Sequence, residues 1–357
     1  MARSFSIHPD LALARTPGAE FYSDPQQHDD LCRAVFAGAW QLVPEACPLE
    51  QSVAGTWRAP WGEECLWLIP GQGAWSDVCT HRGHPLELGR DELRCPYHGR
   101  RFGLDGQCKG QKGMQGSQGF PAKEDALRAV PIEQRGLLTW AAPNPGLGFG
   151  AAYPDLDLIC AALNWKKLVR DPSGDRAHRV QANWILYVEN YLEGLHVPFV
   201  HPGLAKNLDL GAYETRLLGR GVLQVGRVGA GESMLDLPDG HPDGQDGPVG
   251  ALYLWCYPNL MLNLYPWGLS VNQVEPTGPG SCLVRYLRFV QPGIARAGAG
   301  GDLDQVELED QSVVEAVQRR LGSVGRVPGR YSPDFEAGVH HFHRLLASSL
   351  VAGAETA

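Results

Sequence analysis

Apolar positions fall into two regimes along this chain. Between Trp40 and Trp140 they come in short runs (WQLVP, ECLWLIP, AWSDVCT, RFGLDG, AVPIE, LLTWAA) cut apart by glycine and proline. Runs that short, punctuated that often, predict a small antiparallel β domain. Ahead of it, QQHDDLCRAVFA at 26–37 predicts a short helix with Leu31, Val35 and Phe36 on one side. The tract 110–119 (GQKGMQGSQG) has no period and predicts a loop. After the Pro/Gly punctuation at 143–150 the character changes. HRVQANWILYVENYLEGLH starts as a strand and predicts a helical continuation through Val188, Tyr191, Leu192 and Leu195. Residues 228–250 predict a surface loop rich in Gly, Asp and Pro, followed by strands at ALYLWCY, LMLNLYPWGLSVNQVEP and SCLVRYLRFVQP. In the last of these Leu283, Arg285 and Leu287 alternate with Val284, Tyr286 and Arg288. A long helix is predicted near 303–321, with an apolar stripe of Leu303, Val306, Val313, Val314, Val317 and Leu321. Strands and then a long helix after a β domain predict an α+β protein. The boundaries fall at 38–145 and 146–357, with 1–37 a helical segment packing on the second domain.

Composition narrows the classes. The chain of 357 residues suits two domains. A formal charge of −9 argues against nucleic acid or an anionic membrane as partner. No run of 18 or more apolar residues occurs, so a membrane anchor is not expected. Cysteines 32, 47, 65, 108, 160, 256 and 282 lack the spacing of a disulfide framework and read as small core residues in a reducing compartment, the cytoplasm being the simplest.

The chemistry is concentrated in two short runs. CTHRGHPL carries Cys79 and His81, and CPYHGRRF carries Cys95 and His98. Zinc sites of the Cys2His2 type group like ligands together, whereas each run here mixes one thiolate with one imidazole. That mixture suits a [2Fe–2S] cluster whose two irons differ in ligation, the Rieske arrangement. Gly83 and Gly99 let the loops fold tightly and Pro96 stiffens one of them; in a β domain both loops would be hairpin tips.

A relay needs a destination, and NYLEGLHVPFVHPGL offers one. Glu193 and His196 are three apart, neighbours on one face if the segment is helical. Pro198 would interrupt that helix and let His201 return towards His196. Two histidines and one carboxylate make a facial triad for Fe(II) with positions open to dioxygen. Asp310 lies on the apolar stripe of the 303–321 helix, where an unpaired charge is costly and a metal would answer it. Glu307 is the second choice, and Glu309 should point away.

The chain is similar to the α subunits of Rieske non-haem iron oxygenases. CTHRG and CPYHG have the oxygenase form: His84 and Tyr97 stand where respiratory Rieske proteins carry an extra disulfide-forming cysteine. Two departures are Arg100, where many oxygenases have Trp, and a slightly short spacing between His81 and Cys95. Arg100 is expected to alter docking of an electron donor. The resemblance implies a helix-grip catalytic domain and the pattern Asn190, Glu193, His196, His201, Asp310. It further implies that Glu193 is not an iron ligand but joins His196 to His98 of a neighbouring subunit in a head-to-tail homotrimer. Glu at 193, where ring dioxygenases usually have Asp, resembles the carnitine and choline monooxygenase subgroup. The implied activity is hydroxylation or oxidative dealkylation of a small molecule, using O2. No dinucleotide fingerprint occurs in the chain, so a separate NAD(P)H-dependent flavin reductase, alone or through a ferredoxin, is expected to supply electrons. The alternatives are a cis-dihydroxylating dioxygenase and a Rieske electron carrier without catalysis. Tyr253, Trp255, Tyr257, Tyr265 and Trp267 admit two readings, ordinary core or a cation–π cage for a quaternary ammonium. HHFH at 340–343 is expected to decorate a terminal helix, with Phe342, Leu345 and Leu346 inward.

Overall fold

A computed structural model describes residues 5–59, 65–206, 208–229, 231–298, 302–323 and 327–355, with side chains to Val351. The chain divides into two compact units, Phe36–Leu147 and a second one built from the residues up to Val35 together with those from Gly148 onward.

The first unit is made of three small antiparallel sheets. Gln41–Leu42, Leu138–Ala141 and Ile132–Arg135 form one, and Gly55–Arg58, Cys65–Ile69 and Gly73–Ser76 another. The third runs Glu87–Leu88, Glu92–Arg94, Arg101–Gly103, Cys108–Gly110. Alternation places Trp57, Leu66, Leu68 and Ala74 in one core, while Trp67, Ile69, Leu93 and Phe102 pack in another with Cys79 and Cys95. The second ligand loop is a hairpin tip between Glu92–Arg94 and Arg101–Gly103. The first is not. It crosses from the sheet containing Gly73–Ser76 to the one containing Glu87–Leu88. Its base is closed by Asp77, whose Oδ1 accepts from Leu86 N at 2.8 Å and Trp67 Nε1 at 2.7 Å.

The second unit is organised by one antiparallel sheet, in the order Val169–Arg170, Ser281–Val290, Gly268–Gly278, Leu260–Tyr265, Val249–Cys256, Gly221–Arg227, Glu214–Leu218. Arg176–Val180 also pairs with Ser281–Val290. The central strands are buried throughout, which is why they read as continuous apolar runs. Among the helices of this unit are Trp184–Tyr191, Leu303–Arg320 and Ala337–Glu355. Phe342 of the last packs edge-on against Trp255 and Trp184, and Leu346 beside it is buried. Of the expected stripe on Leu303–Arg320, Val314 is buried but Val317 is 40% exposed. Gln318 instead turns inward and accepts from Asn183 N.

HHFH is not surface decoration. His340 Nε2 donates to the His8 carbonyl at 2.8 Å. Buried His343 bonds Glu189 through Nε2 and the Tyr331 hydroxyl through Nδ1, each at 2.7 Å. Polar partners on other elements let imidazoles occupy a buried helix face, which periodicity cannot register.

Candidate metal centres

The two loops of the first unit are built alike. Cys79 O accepts from Gly83 N, and Cys95 O from Gly99 N, at 2.8 and 2.9 Å. Cys79 N donates to His84 O and Cys95 N to Arg100 O, at 3.0 and 2.8 Å. Each closure needs left-handed backbone at its glycine, φ +75° at Gly83 and +69° at Gly99, which a residue with a Cβ resists. The two thiols are buried while His98 is exposed, and the His81 and His98 rings lie 4.8 Å apart. Desolvation, aided by the charges of His98, Arg100 and Arg82, pushes the His81 imidazole below its ordinary range. Neutral imidazole is the form that binds iron. Two buried sulfurs and two adjacent imidazoles on matched loops fit a Rieske cluster. Arg100 is buried, with Nε donating to Gln111 Oε1 and Nη1 to Thr80 Oγ1 and Asp125 Oδ1. It fastens the loops to the following segment.

In the second unit Asn183 caps the helix Trp184–Tyr191 by accepting from Ile185 N. That helix stops at Tyr191, earlier than expected, so Glu193 and His196 lie in the turn after it rather than on a helix face. Their three-residue spacing works by a different route. Glu193 Oε2 accepts from His196 N at 3.1 Å, and Oε1 accepts from His196 Nδ1 at 2.6 Å. Pro198 does not break a helix but sits in the first turn of Val197–Val200, where its missing N–H costs nothing. His201 follows immediately at the end of that turn.

With Nδ1 engaged by Glu193, His196 presents Nε2 to Asp310 Oδ1 at 3.6 Å. His201 Nε2 lies 2.9 Å from the same oxygen. Ligand atoms of His196, His201 and Asp310 all fall within 4.8 Å of one another. Asn190 Nδ2 donates to Asp310 Oδ1 at 2.6 Å and orients it. Glu307 turns elsewhere, accepting from Tyr187 Oη and Asn272 Nδ2. Burial, and after it the Asp310 charge, push its carboxyl up to about 7.

Glu309 does not point away. Its Oε2 accepts from His201 Nδ1 at 2.7 Å, as Glu193 does for His196. A stripe argument places only residues facing the core, whereas Glu309 reaches the histidine from the flank of its helix. Burial opposes protonation of His201, but Asp310 and Glu309 outweigh it and hold the imidazole above its usual range. The site's field thus favours a cation at the convergence of the three ligand atoms. With both Nδ1 atoms anchored on carboxylates and Nε2 turned inward, the set fits a divalent metal.

Beside this set lies a pocket of about 80 Å³ lined by Tyr187, Tyr191, Tyr213, Tyr253 and Tyr265, with Asn263 and Asn272. Of the five aromatics singled out from sequence, Tyr253 and Tyr265 reach it. Trp255 packs on Phe342, Tyr257 bonds Ser349, and Trp267 stacks behind Tyr265. Tyr187, Tyr191 and Tyr213 were missed because two follow a helical period and one precedes a strand. No sequence signal joins them.

This combination defines a two-centre iron oxygenase. Residues 43–121 match the Rieske [2Fe-2S] domain and residues 169–351 the ring hydroxylating alpha subunit catalytic domain. The chain belongs to that oxygenase α-subunit family. It is 28% identical to the chloroplastic choline monooxygenase of Arabidopsis thaliana over 368 residues, covering 95% of this chain and 84% of that one. It is 27% identical to the carnitine monooxygenase oxygenase subunit of Escherichia coli strain K12 over 376 residues, covering 97% and 96%. The fold is shared with the quaternary ammonium Rieske monooxygenase CntA in complex with L-carnitine (TM-score 0.75, 23% identity, 97% and 99% covered). It is also shared with naphthalene 1,2-dioxygenase from Rhodococcus sp. (TM-score 0.70, 16% identity, 96% and 95% covered).

The protein is therefore a Rieske non-haem iron oxygenase, an oxidoreductase with a [2Fe–2S] cluster and a mononuclear iron as cofactors and dioxygen as co-substrate. Such α subunits draw electrons from separate proteins and work as multimers. Among the described residues no helix is long and apolar enough to cross a membrane.

Proposed function

We propose that this enzyme inserts one atom of dioxygen into a C–H bond of a small quaternary ammonium substrate. The second atom leaves as water, with two electrons and two protons supplied from outside. The observation that carries this reading is the small tyrosine-lined pocket beside His196, His201 and Asp310, which has neither lysine nor arginine among its described lining residues. Cys79, His81, Cys95 and His98 would hold the cluster, and His196, His201 and Asp310 the iron. Bound there, the cluster would store single electrons and the iron would activate dioxygen.

The remaining tasks fall to the chain itself. Glu193 and Glu309 lock the two imidazoles through Nδ1, and Asn190 fixes the ligating oxygen of Asp310. Tyrosine rings line the pocket and, with substrate seated, would exclude water from the reacting carbon. In a head-to-tail trimer Glu193 would also meet His98 of a neighbouring copy, linking the two metal sites. Glu rather than Asp at 193, and relatives named as monooxygenases, favour one-atom insertion. An NAD(P)H-dependent flavin reductase, alone or through a ferredoxin, would supply electrons in the cytoplasm. Domain limits of 38–145 and 146–357, with 1–37 on the catalytic domain, accompany this reading.

The test couples the purified enzyme to a reductase and NADH under labelled dioxygen. The expected result is one labelled atom per product molecule, with NADH oxidation accelerated by a quaternary ammonium compound. Two labelled atoms in a cis-diol would replace this reading with an aromatic-ring dioxygenase. A preparation holding about two irons and two sulfides per chain, with no third iron, would leave only an electron carrier.

A further inference from the structure

One acid in the pocket is used by neither metal site. Glu307 stands one helical turn before Asp310 and lines the pocket together with Tyr187, Tyr191, Tyr253 and Tyr265. Both its oxygens are engaged by neutral donors, Oε2 by the Tyr187 hydroxyl at 2.7 Å and Oε1 by Asn272 Nδ2 at 2.9 Å. No lysine or arginine faces it from this pocket among the described residues. A second cavity of about 260 Å³ shares Leu303 and Glu307 and does carry arginines. There Arg288 is held by Asp171 and Arg176 by the carbonyls of Ser173 and Asp175, while His178 and the exposed Arg296 line the same cavity.

Buried, hydrogen-bonded by neutral groups and pushed up to about 7, this carboxyl leaves a vacancy for a cation that would hold it ionised. A quaternary ammonium suits that vacancy better than a protonated amine. It has no N–H seeking an acceptor, so the field of Glu307 suffices, each of its oxygens already accepting one hydrogen bond. Its methyl groups meet the tyrosine faces. A carboxylate on the ligand would face two acids, Glu307 and Asp310, with no lysine or arginine among the described residues of this pocket to offset them. Asn272 Nδ2 donates to Glu307 Oε1, and Asn263 Nδ2 donates to Asn272 Oδ1. Two polar atoms are open among the described residues: Gln224 and Tyr253 line the pocket and are buried, and Gln224 Oε1 and Tyr253 Oη have no hydrogen-bond partner. A hydroxyl would satisfy Gln224 Oε1.

We infer that Glu307 is the specificity-determining counter-ion of this pocket, selecting a hydroxyl-bearing quaternary ammonium cation over a zwitterion carrying a carboxylate. This rests on the quaternary ammonium reading above and sharpens it to charge.

The experiment is equilibrium binding by calorimetry to the metal-loaded enzyme, with choline, L-carnitine and 3,3-dimethyl-1-butanol, the uncharged carbon isostere of choline. Choline should bind at least about tenfold tighter than either of the others. Glu307→Gln keeps the shape and removes the charge; it should weaken choline at least about tenfold and change the isostere less than about threefold. Glu307→Asp, which keeps the charge, should retain the preference for choline, and iron and sulfide content should match the unaltered enzyme in both variants. If Glu307→Gln lost iron, the choline-to-isostere ratio would be compared between the unaltered protein and Glu307→Gln after both are stripped of the mononuclear iron, and should still fall at least about tenfold in the variant. An unchanged choline-to-isostere ratio in Glu307→Gln would overturn the role of Glu307 while leaving the quaternary ammonium reading standing. Equal binding of choline and its isostere by the unaltered enzyme would overturn that reading itself. Carnitine binding as tightly as choline would overturn the selection against a carboxylate.

Discussion

The two units present imidazole in opposite ways. In the first, His81 and His98 sit on loops closed by their own backbone, glycine N–H to cysteine carbonyl, and the exposed His98 ring has its position set within a few residues of chain. In the second, His196 and buried His201 are aimed by carboxylates, one three residues away and the other 108 residues away. A backbone-held site writes its geometry into local spacing. A site held by side chains depends on the whole sheet and the helix Leu303–Arg320 arriving correctly. The first should therefore survive damage that empties the second.

The largest effect should come from His201→Ala, which removes a proposed iron ligand that the first unit does not share. Turnover should fall to background while the cluster chromophore persists. Metal analysis should drop from about three irons per two sulfides to about two. Loss of both centres together would show that the units do not hold their metals independently. Next comes Glu193→Gln. Both metals should remain, yet turnover should fall about 100-fold, because the amide holds Nδ1 of His196 without a charge. Full single-turnover rates in this variant would remove Glu193 from any role beyond folding. Glu309→Ala should act on the metal rather than on electron delivery, weakening iron binding about tenfold by freeing the His201 ring. An iron titration reads it directly, and unchanged affinity would mean that Asp310 and packing alone hold that histidine.

How far each centre was legible follows from the same contrast. Cys79, His81, Cys95 and His98 could be singled out from spacing because each loop is closed by its own backbone, although Arg100 also ties the loops to Gln111 and Asp125 and the first loop joins two sheets instead of tipping a hairpin. Asp310 could be singled out because a carboxylate on an apolar stripe calls for a partner. Glu309 could not, since it lies off the stripe and its partner His201 belongs to a distant element. The helix before Glu193 was read one turn too long: an apolar period ran on through Leu195, while the backbone turned after Tyr191. The pocket was the least legible part. Tyr187, Tyr191, Tyr213, Tyr253 and Tyr265 come from a helix, a loop and two strands, and only the sheet register brings them to one place.

A milder perturbation probes the backbone-held side. Gly99→Ala forces a Cβ into left-handed backbone, where the ideal Cβ position meets only the flexible Arg94 side chain at 3.5 Å. The cost should be conformational, about 1–2 kcal/mol, and confined to the hairpin that carries Cys95 and His98. Faster loss of the cluster on mild heating, with unchanged occupancy of the mononuclear iron, is the expected outcome. Equal loss from both sites would deny that the loop is self-contained.

The smallest effect concerns protons, and it belongs to the second unit. His28 is buried on helix Pro25–Phe36, and desolvation depresses its imidazole pKa despite the opposing charge of Asp29. The folded state thus favours neutral His28, whereas the unfolded chain takes up a proton near 6.5. Below that pH the unfolded state binds more protons, so stability falls with acidification until the lower folded-state pKa is passed. Above 6.5 this contribution is fully present. His340 is shifted in the same direction, chiefly by burial. Amide hydrogen exchange at pH 7.5 and at pH 5.5 should therefore show protection lost in the segments around 25–36 and 337–350. His28→Gln, which cannot titrate, should flatten the pH slope for the first of these segments and leave the second unchanged. If the variant kept the full slope at 25–36, the acid sensitivity of that helix would have to come from another group.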